Sequence, residues 1–384
     1  MRTRPLLLAA LVAALLLAAA VPAGAAGPET PRTWGSNSFG ELGDGSTANR
    51  FAAGPVAGLA DATELGGGRE HVVALRADGS VWTWGSNQYG QQGNGGTANR
   101  PAPGPVAGLA GAVQVAAGHY HSMALLGDGT VRTWGMNSQG QLGDGSRTRR
   151  TRPVQVRNLT GVTQVAGARG HSLAIRDDGS LWTWGYNAFG ELGDGTTTTR
   201  TTPVRVTALS GVVQVAGGRD HSLALRSDGT VWAFGHNTYG QLGNGATGHR
   251  STPVRAGSLT GVVAVAAGAY HSLALLGDGT IWAWGRNNLG QLGNGTLSNR
   301  SSPVRVGSLT GVAFVAGGRD HGLAVLTDGT VRAWGANTYG QLGDGTTTRR
   351  TTPVPVPGLT GIETVTAGRP TAPRSSPALP GPPR

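Results

Sequence analysis

The chain has 384 residues, 67 of them Gly and 21 Pro, a content just short of that of aperiodic disordered chains. Only 13% of residues are charged, yet 38% are hydrophobic and ten are Trp, enough to build a core. All 31 basic residues are Arg, against 20 acids, for a net charge of +11; Cys is absent, which excludes disulfides, thiolate metal sites and cysteine nucleophiles.

Glycine does not recur at every third position, so a collagen-like chain is excluded. An α-helical protein is excluded too, because each interior Gly costs a helix about 1 kcal/mol. What remains is a β protein in which Gly serves turns.

From the N-terminus, residues 1–25 read as an export signal. Arg2 and Arg4 precede an apolar run from Leu6 to Val21, and Ala23-Gly24-Ala25 offers a small-residue cleavage site. The rival is an uncleaved anchor, but the run is short of the roughly 20 apolar residues a span needs, and Pro22 comes directly after it. The expectation is a secreted or cell-surface protein with no transmembrane span after cleavage. Residues 26–31 make a short linker.

From residue 32 the chain repeats with a period of 50. Trp-Gly pairs begin at Trp34, Trp84, Trp134, Trp184, Trp284 and Trp334, with Phe234 in the remaining slot. Asn37 to Asn337 and Arg50 to Arg350 keep the same interval, and His71, His121, His171, His221, His271 and His321 form a further column. Periods of 20–50 residues mark solenoids, propellers or arrays. In the clearest unit, strands are expected at 212–216, at 221–225, and, after the Asp228-Gly229 turn, at 231–234. A Gly-Gln-Leu-Gly-Asn-Gly loop occupies 240–245, and 253–255 makes an edge strand that tolerates Pro253. Four short strands in 50 residues describe one propeller blade; a linear β-solenoid is the structural alternative.

The pattern His271-Ser-Leu-Ala-Leu275, Asp278-Gly-Thr280, Ile281-Trp-Ala-Trp-Gly285, Asn287 and Gly290-Gln-Leu-Gly-Asn-Gly295 resembles the regulator of chromosome condensation repeat. The resemblance spans residues 32–368 and implies an all-β, seven-bladed propeller of the kind that a secreted bacterial member would build. The chain enters at the third strand of a unit, 31–35, and its last unit stops after a first strand, 361–368. Nothing there matches His-Ser-Leu-Ala-Leu, and the Pro-rich stretch 369–384 cannot supply a central strand. The seventh blade is therefore expected to be incomplete, closed by N- and C-terminal strands, with a disordered tail after it.

The periodic columns read as scaffold. The His column suits hydrogen bonds to backbone that fix turns better than a metal, because zinc needs three or four ligands about 2 Å from one point. Asp44, Asp144, Asp194 and Asp344 alternate with Asn94, Asn244 and Asn294, which suits turns and not a calcium loop. The Trp residues suit wedges between blades. A catalytic site should be a unique departure from the repeat, and Asp61, Glu64, Glu70 and Glu363 come with no unique His or Ser partner, so neither an enzyme nor a cofactor is expected.

Positions that vary on a fixed scaffold are the binding candidates. One set precedes the His column: Arg69, Glu70, His119, Tyr120, Arg169, Arg219, Asp220, Tyr270, Arg319 and Asp320. The other comes directly after Trp-Gly: Met136, Tyr186, His236 and Arg286. In an up-and-down blade both connections emerge on one face, so the two sets are expected to ring one end of the propeller as a protein-binding surface. The function expected is a monomeric, secreted, non-catalytic binding or scaffold module for an extracellular protein or surface polymer, with nucleic acid disfavoured as a partner. Exported propeller-type β-lactamase inhibitors share its Trp-Gly and His-Ser-Leu-Ala-Leu elements, which adds an inhibitor-like reading. The family resemblance also implies guanine-nucleotide exchange on a small GTPase, although uniform 50-residue units leave no insertion to serve as a wedge. A propeller enzyme acting on extracellular glycans is the third alternative.

Overall fold

The computed structural model describes residues 31–368. The expected export signal and the Pro-rich tail lie outside the described residues. Within them the chain is all β. The first strands are β1 (Arg32–Gly35) and β2 (Arg50–Pro55). Then come β3 (Ala62–Gly67), β4 (His71–Arg76), β5 (Val81–Gly85) and β6 (Arg100–Pro105), hydrogen-bonded in that order as one four-stranded blade. The same antiparallel order recurs in five further blades. Blade 4 is typical, with β15 (Val212–Gly217), β16 (His221–Arg226), β17 (Val231–Gly235) and β18 (Arg250–Arg255).

Burial explains the strand types. In β16 the first five residues, His221 to Leu225, are all buried, because adjacent blades cover both faces of this strand. In β15 burial falls on Val212 and Val215, leaving Val213 exposed at the blade edge. At the β16–β17 turn Gly229 adopts φ +73°, and the Asp228 carboxylate accepts hydrogen bonds from the Thr230 amide and hydroxyl.

The blades are joined by apolar clusters that draw from two neighbours at once. Leu223, Leu225 and Val231 of blade 4 pack with Val262, Val265 and Trp284 of the next. Each wedge Trp also donates across the boundary: Trp84 to the Glu41 carbonyl at 2.9 Å, Trp134 to Gln91 at 2.8 Å and Trp334 to Gln291 at 2.9 Å. The expectation of Trp wedges holds, and Phe234 fills the same buried slot without a donor. Loop chemistry holds as well: Asn137 donates to Asp144 and accepts from the Leu142 amide, while Arg150 pairs with Asp144.

The His column differs in part from expectation: His71 does bond to backbone, at His121, but the column also binds serines. His71, His121, His171 and His221 reach Ser122, Ser172, Ser222 and Ser272 of the next blade at 2.9–3.0 Å. Their role is to join blades, and the turn before each is closed by main-chain bonds such as Gly118 N to the His121 carbonyl.

The blade count is also corrected. The described residues form six four-stranded blades and not seven, plus a two-stranded sheet of β1 and β2. The sector between the last blade and the first holds β1, β2 and residues 361–368. The segment 361–368 was expected to be a closing strand, yet it contains no strand. It lies at the innermost position beside Gly67, and Ile362, Val365 and Ala367 pack against the last blade. Without a second strand between it and β1, among the described residues, it has no ladder to join.

Candidate binding face

The loop between the first and second strands of each blade touches the loop after the third. The Met136 amide donates to the Tyr120 carbonyl at 2.8 Å, His236 to Asp220 at 2.7 Å and Arg286 to Tyr270 at 2.8 Å. Gly135 makes this approach feasible: its φ is +106°, and a Cβ there would sit 2.5 Å from the Tyr120 carbonyl oxygen. The two variable sets are thus held together in every blade, at one end of the ring.

They enclose a recess of about 510 Å³ over the ring axis. Eight predicted residues line it: Arg69, His119, Tyr120, Met136, Arg169, Tyr186, Arg219 and Arg319. Below it the axial channel narrows to about 60 Å³ between Gly and Ala residues of the inner strands, with His119 lining both spaces.

The acids do not stand out on the rim as expected. Glu70 and Asp220 are buried, and together with Asp320 they anchor arginines. Arg69 meets Glu70 at 3.2 Å. Asp220 sits between Arg169 at 2.7 Å and Arg219 at 3.3 Å. Asp320 meets Arg319 at 3.1 Å and Arg286 at 4.0 Å. Five guanidinium groups therefore share three carboxylates. Several also lie over aromatic faces: Arg69 over Tyr120 at 5.3 Å, Arg169 over Tyr186 at 5.2 Å and Arg219 over Tyr270 at 5.1 Å.

Tyr270, His236 and Arg286 extend the face sideways. His236 stacks on His249 with centroids 4.7 Å apart and contacts Phe189 edge-on. Burial, reinforced by His249, pushes its pKa down to about 4. Burial also raises the Tyr186 and Tyr270 phenols.

Sequence reasoning missed the column just before the Gly-Gln-Leu-Gly loop, which contributes Gln139 to the recess and Tyr89, Phe189 and Tyr239 to the aromatic layer. Its signal was present as Phe39, Tyr89, Phe189, Tyr239 and Tyr339 at the period of the repeat. It also missed Glu191, which with Glu41 stands where the other five units have Gln. Its carboxylate accepts from the Phe189 amide, as Gln241 accepts from Tyr239. Burial, with Asp220 adding to it, pushes Glu191 up to about 8, so at neutral pH it is held as the acid. No group of three or more His, Asp or Glu among the described residues could hold a metal.

Residues 113–372 match the RCC1-like domain, and 78–125 and 63–91 each match the regulator of chromosome condensation (RCC1) repeat. The chain belongs to the RCC1 family. Among solved structures this RCC1-family propeller is similar to Prp20p of Saccharomyces cerevisiae, at 24% identity and a TM-score of 0.81 over 90% of each chain. It is also similar to human WBSCR16, at 26% identity and a TM-score of 0.73 over 88% of this chain and 97% of that one. The structure of Prp20p was described with its binding properties to Gsp1p and histones. No curated protein sequence matches the chain.

Proposed function

We propose that this RCC1-family propeller is an exported, non-catalytic binding module that takes an acidic segment of a protein partner into the axial recess. The observation that carries this reading is the excess of arginines over carboxylates around that recess, with Tyr and Met between them. Arg, Tyr and Met are enriched in protein interfaces, and paired guanidinium groups held over aromatic rings are pre-oriented to meet carboxylates. The signal-like residues 1–25 support export. The sector holding β1, β2 and 361–368 is read as an unfinished seventh blade.

Affinity capture from an extracellular milieu tests the site, comparing the mature protein with a Tyr120→Ala/Arg219→Ala/Tyr270→Ala variant. Recovery of the same acidic partner by both forms would remove the recess from consideration.

Family membership supports a second reading, nucleotide exchange on a small GTPase. Acceleration of nucleotide release from a GTPase by the purified propeller would establish it, and an unchanged release rate would reject it.

A further inference from the structure

Blade 2 departs from the other blades along its outer wall. Within and around its last strand, β10 (Arg150–Gln155), stand Arg147, Arg149, Arg152 and Arg157. Four matching positions in each of the other six units, 24 in all, hold one further arginine, Arg349. The rest are mostly small and neutral, as at Thr97, Asn99, Ala102 and Ala107. Arg150 belongs instead to the scaffold column and is taken up by Asp144.

All four arginines are exposed, and among the described residues no carboxylate pairs with any of them. The residues outside those described hold a single acid, Glu29, too few to neutralise four charges. Arg149 also displaces a structural residue. At its position Asn99 and Asn299 accept from the Asn87 and Asn287 amides at 2.8 Å. Arginine has no acceptor, and Arg149 reaches across the blade boundary to the Gln88 carbonyl at 3.3 Å. Arg152 lies over Gly95 of the same neighbouring loop, where a Cβ would stand 3.0 Å from its Nη2. Arg157 lies over Gly145 of its own loop, where a Cβ would stand 2.9 Å from its Nη1. The four make a basic strip across the boundary of blades 1 and 2, and none of them lines the axial recess.

We propose that this strip binds a linear phosphodiester polymer of the cell surface, contacted through its phosphates alone. Guanidinium forks match phosphate oxygens two at a time, and charges laid along a strand and not round a pocket suit a chain. No exposed residue between 145 and 157 is aromatic or aliphatic. The strip therefore has no platform for nucleic-acid bases and no apolar anchor for a protein. The polymer's setting rests on export of the chain; the recess plays no part.

The probe is poly(glycerol phosphate) coupled to a sensor surface, over which the full-length protein is passed. The affinity should fall about 50-fold between about 50 and 200 mM salt, as four phosphate contacts require. The variant Arg147→Thr/Arg149→Asn/Arg152→Thr/Arg157→Thr carries residues that other units hold at these positions, as at Thr197, Asn99, Thr202 and Thr207, so the fold is retained. It should bind roughly 100-fold more weakly and lose most of the salt dependence. The Tyr120→Ala/Arg219→Ala/Tyr270→Ala variant of the recess should bind as the unaltered protein does. Three results overturn the proposal: no binding of poly(glycerol phosphate), equal binding by the fourfold variant, or binding at least as tight to poly-glutamate or single-stranded DNA of matched charge.

Discussion

His121 Nε2 lies 2.9 Å from Ser172 Oγ in the next blade, and Ser172 donates its own proton to the Gln141 carbonyl at 2.9 Å. A hydroxyl has one proton, so it can only accept from the imidazole, which fixes neutral His121 as the Nε2–H tautomer. Each such relay spans a blade boundary. Ser172→Ala should therefore leave a buried N–H without an acceptor and cost about 1–3 kcal/mol in chemical denaturation. Blade 6 carries Gly322 in place of the serine, with the Trp334 ring filling the space where its side chain would stand.

The same histidines set the acid limit. Burial holds His71 down to about 3 and His121 and His321 down to about 4, against 6.5 for an ordinary imidazole. Their contribution is complete above pH 6.5 and is lost as pH falls towards 4, because the unfolded chain takes up protons that the fold refuses. Thermal melts should show stability falling by about 1.4 kcal/mol per pH unit for each histidine across that window. A flat profile between pH 6.5 and 4.5 would contradict this assignment.

Glu191 works in the opposite direction. Its carboxyl stays protonated in the fold to about pH 8 and ionises near 4.5 when unfolded. Its contribution is intact below pH 4.5 and declines as pH rises towards 8. Gln291 donates to Asp320 at 3.3 Å, and a glutamine at 191 would stand in the same relation to Asp220. Glu191→Gln should raise stability at pH 8 by on the order of 1–3 kcal/mol and leave it nearly unchanged at pH 4.5. Melting curves of the two proteins at both pH values check the sign.

Phe234, unlike the Trp wedges, cannot donate across its boundary. The Glu191 carbonyl, which would accept from a Trp at 234, receives the Ser222 hydroxyl at 2.8 Å. Phe234→Trp should add a bond of the type that Trp184 makes and stabilise the protein by about 0.5–1.5 kcal/mol. Trp184→Ala, by contrast, should cost about 3–5 kcal/mol through the cavity it leaves. Denaturant midpoints of the two variants should move in opposite directions.

The period of 50 alone determined the blade, the order of its strands and the Trp wedges, because one unit cannot bury its faces and each copy must repeat the same contacts. It also placed both variable loop sets on one end, since strand direction alternates within a blade. Only the tertiary structure decided which of those residues converge. Glu70 and Asp220 look like rim acids in the sequence, but packing buries both against arginines, each against its chain neighbour and Asp220 also against Arg169, 51 positions away. The His–Ser relay was hidden for the same reason, its partners being 51 residues apart. Residues 361–368 carry a strand's sequence, but a strand forms only where another lies alongside to share its hydrogen bonds, and among the described residues none lies between this segment and β1.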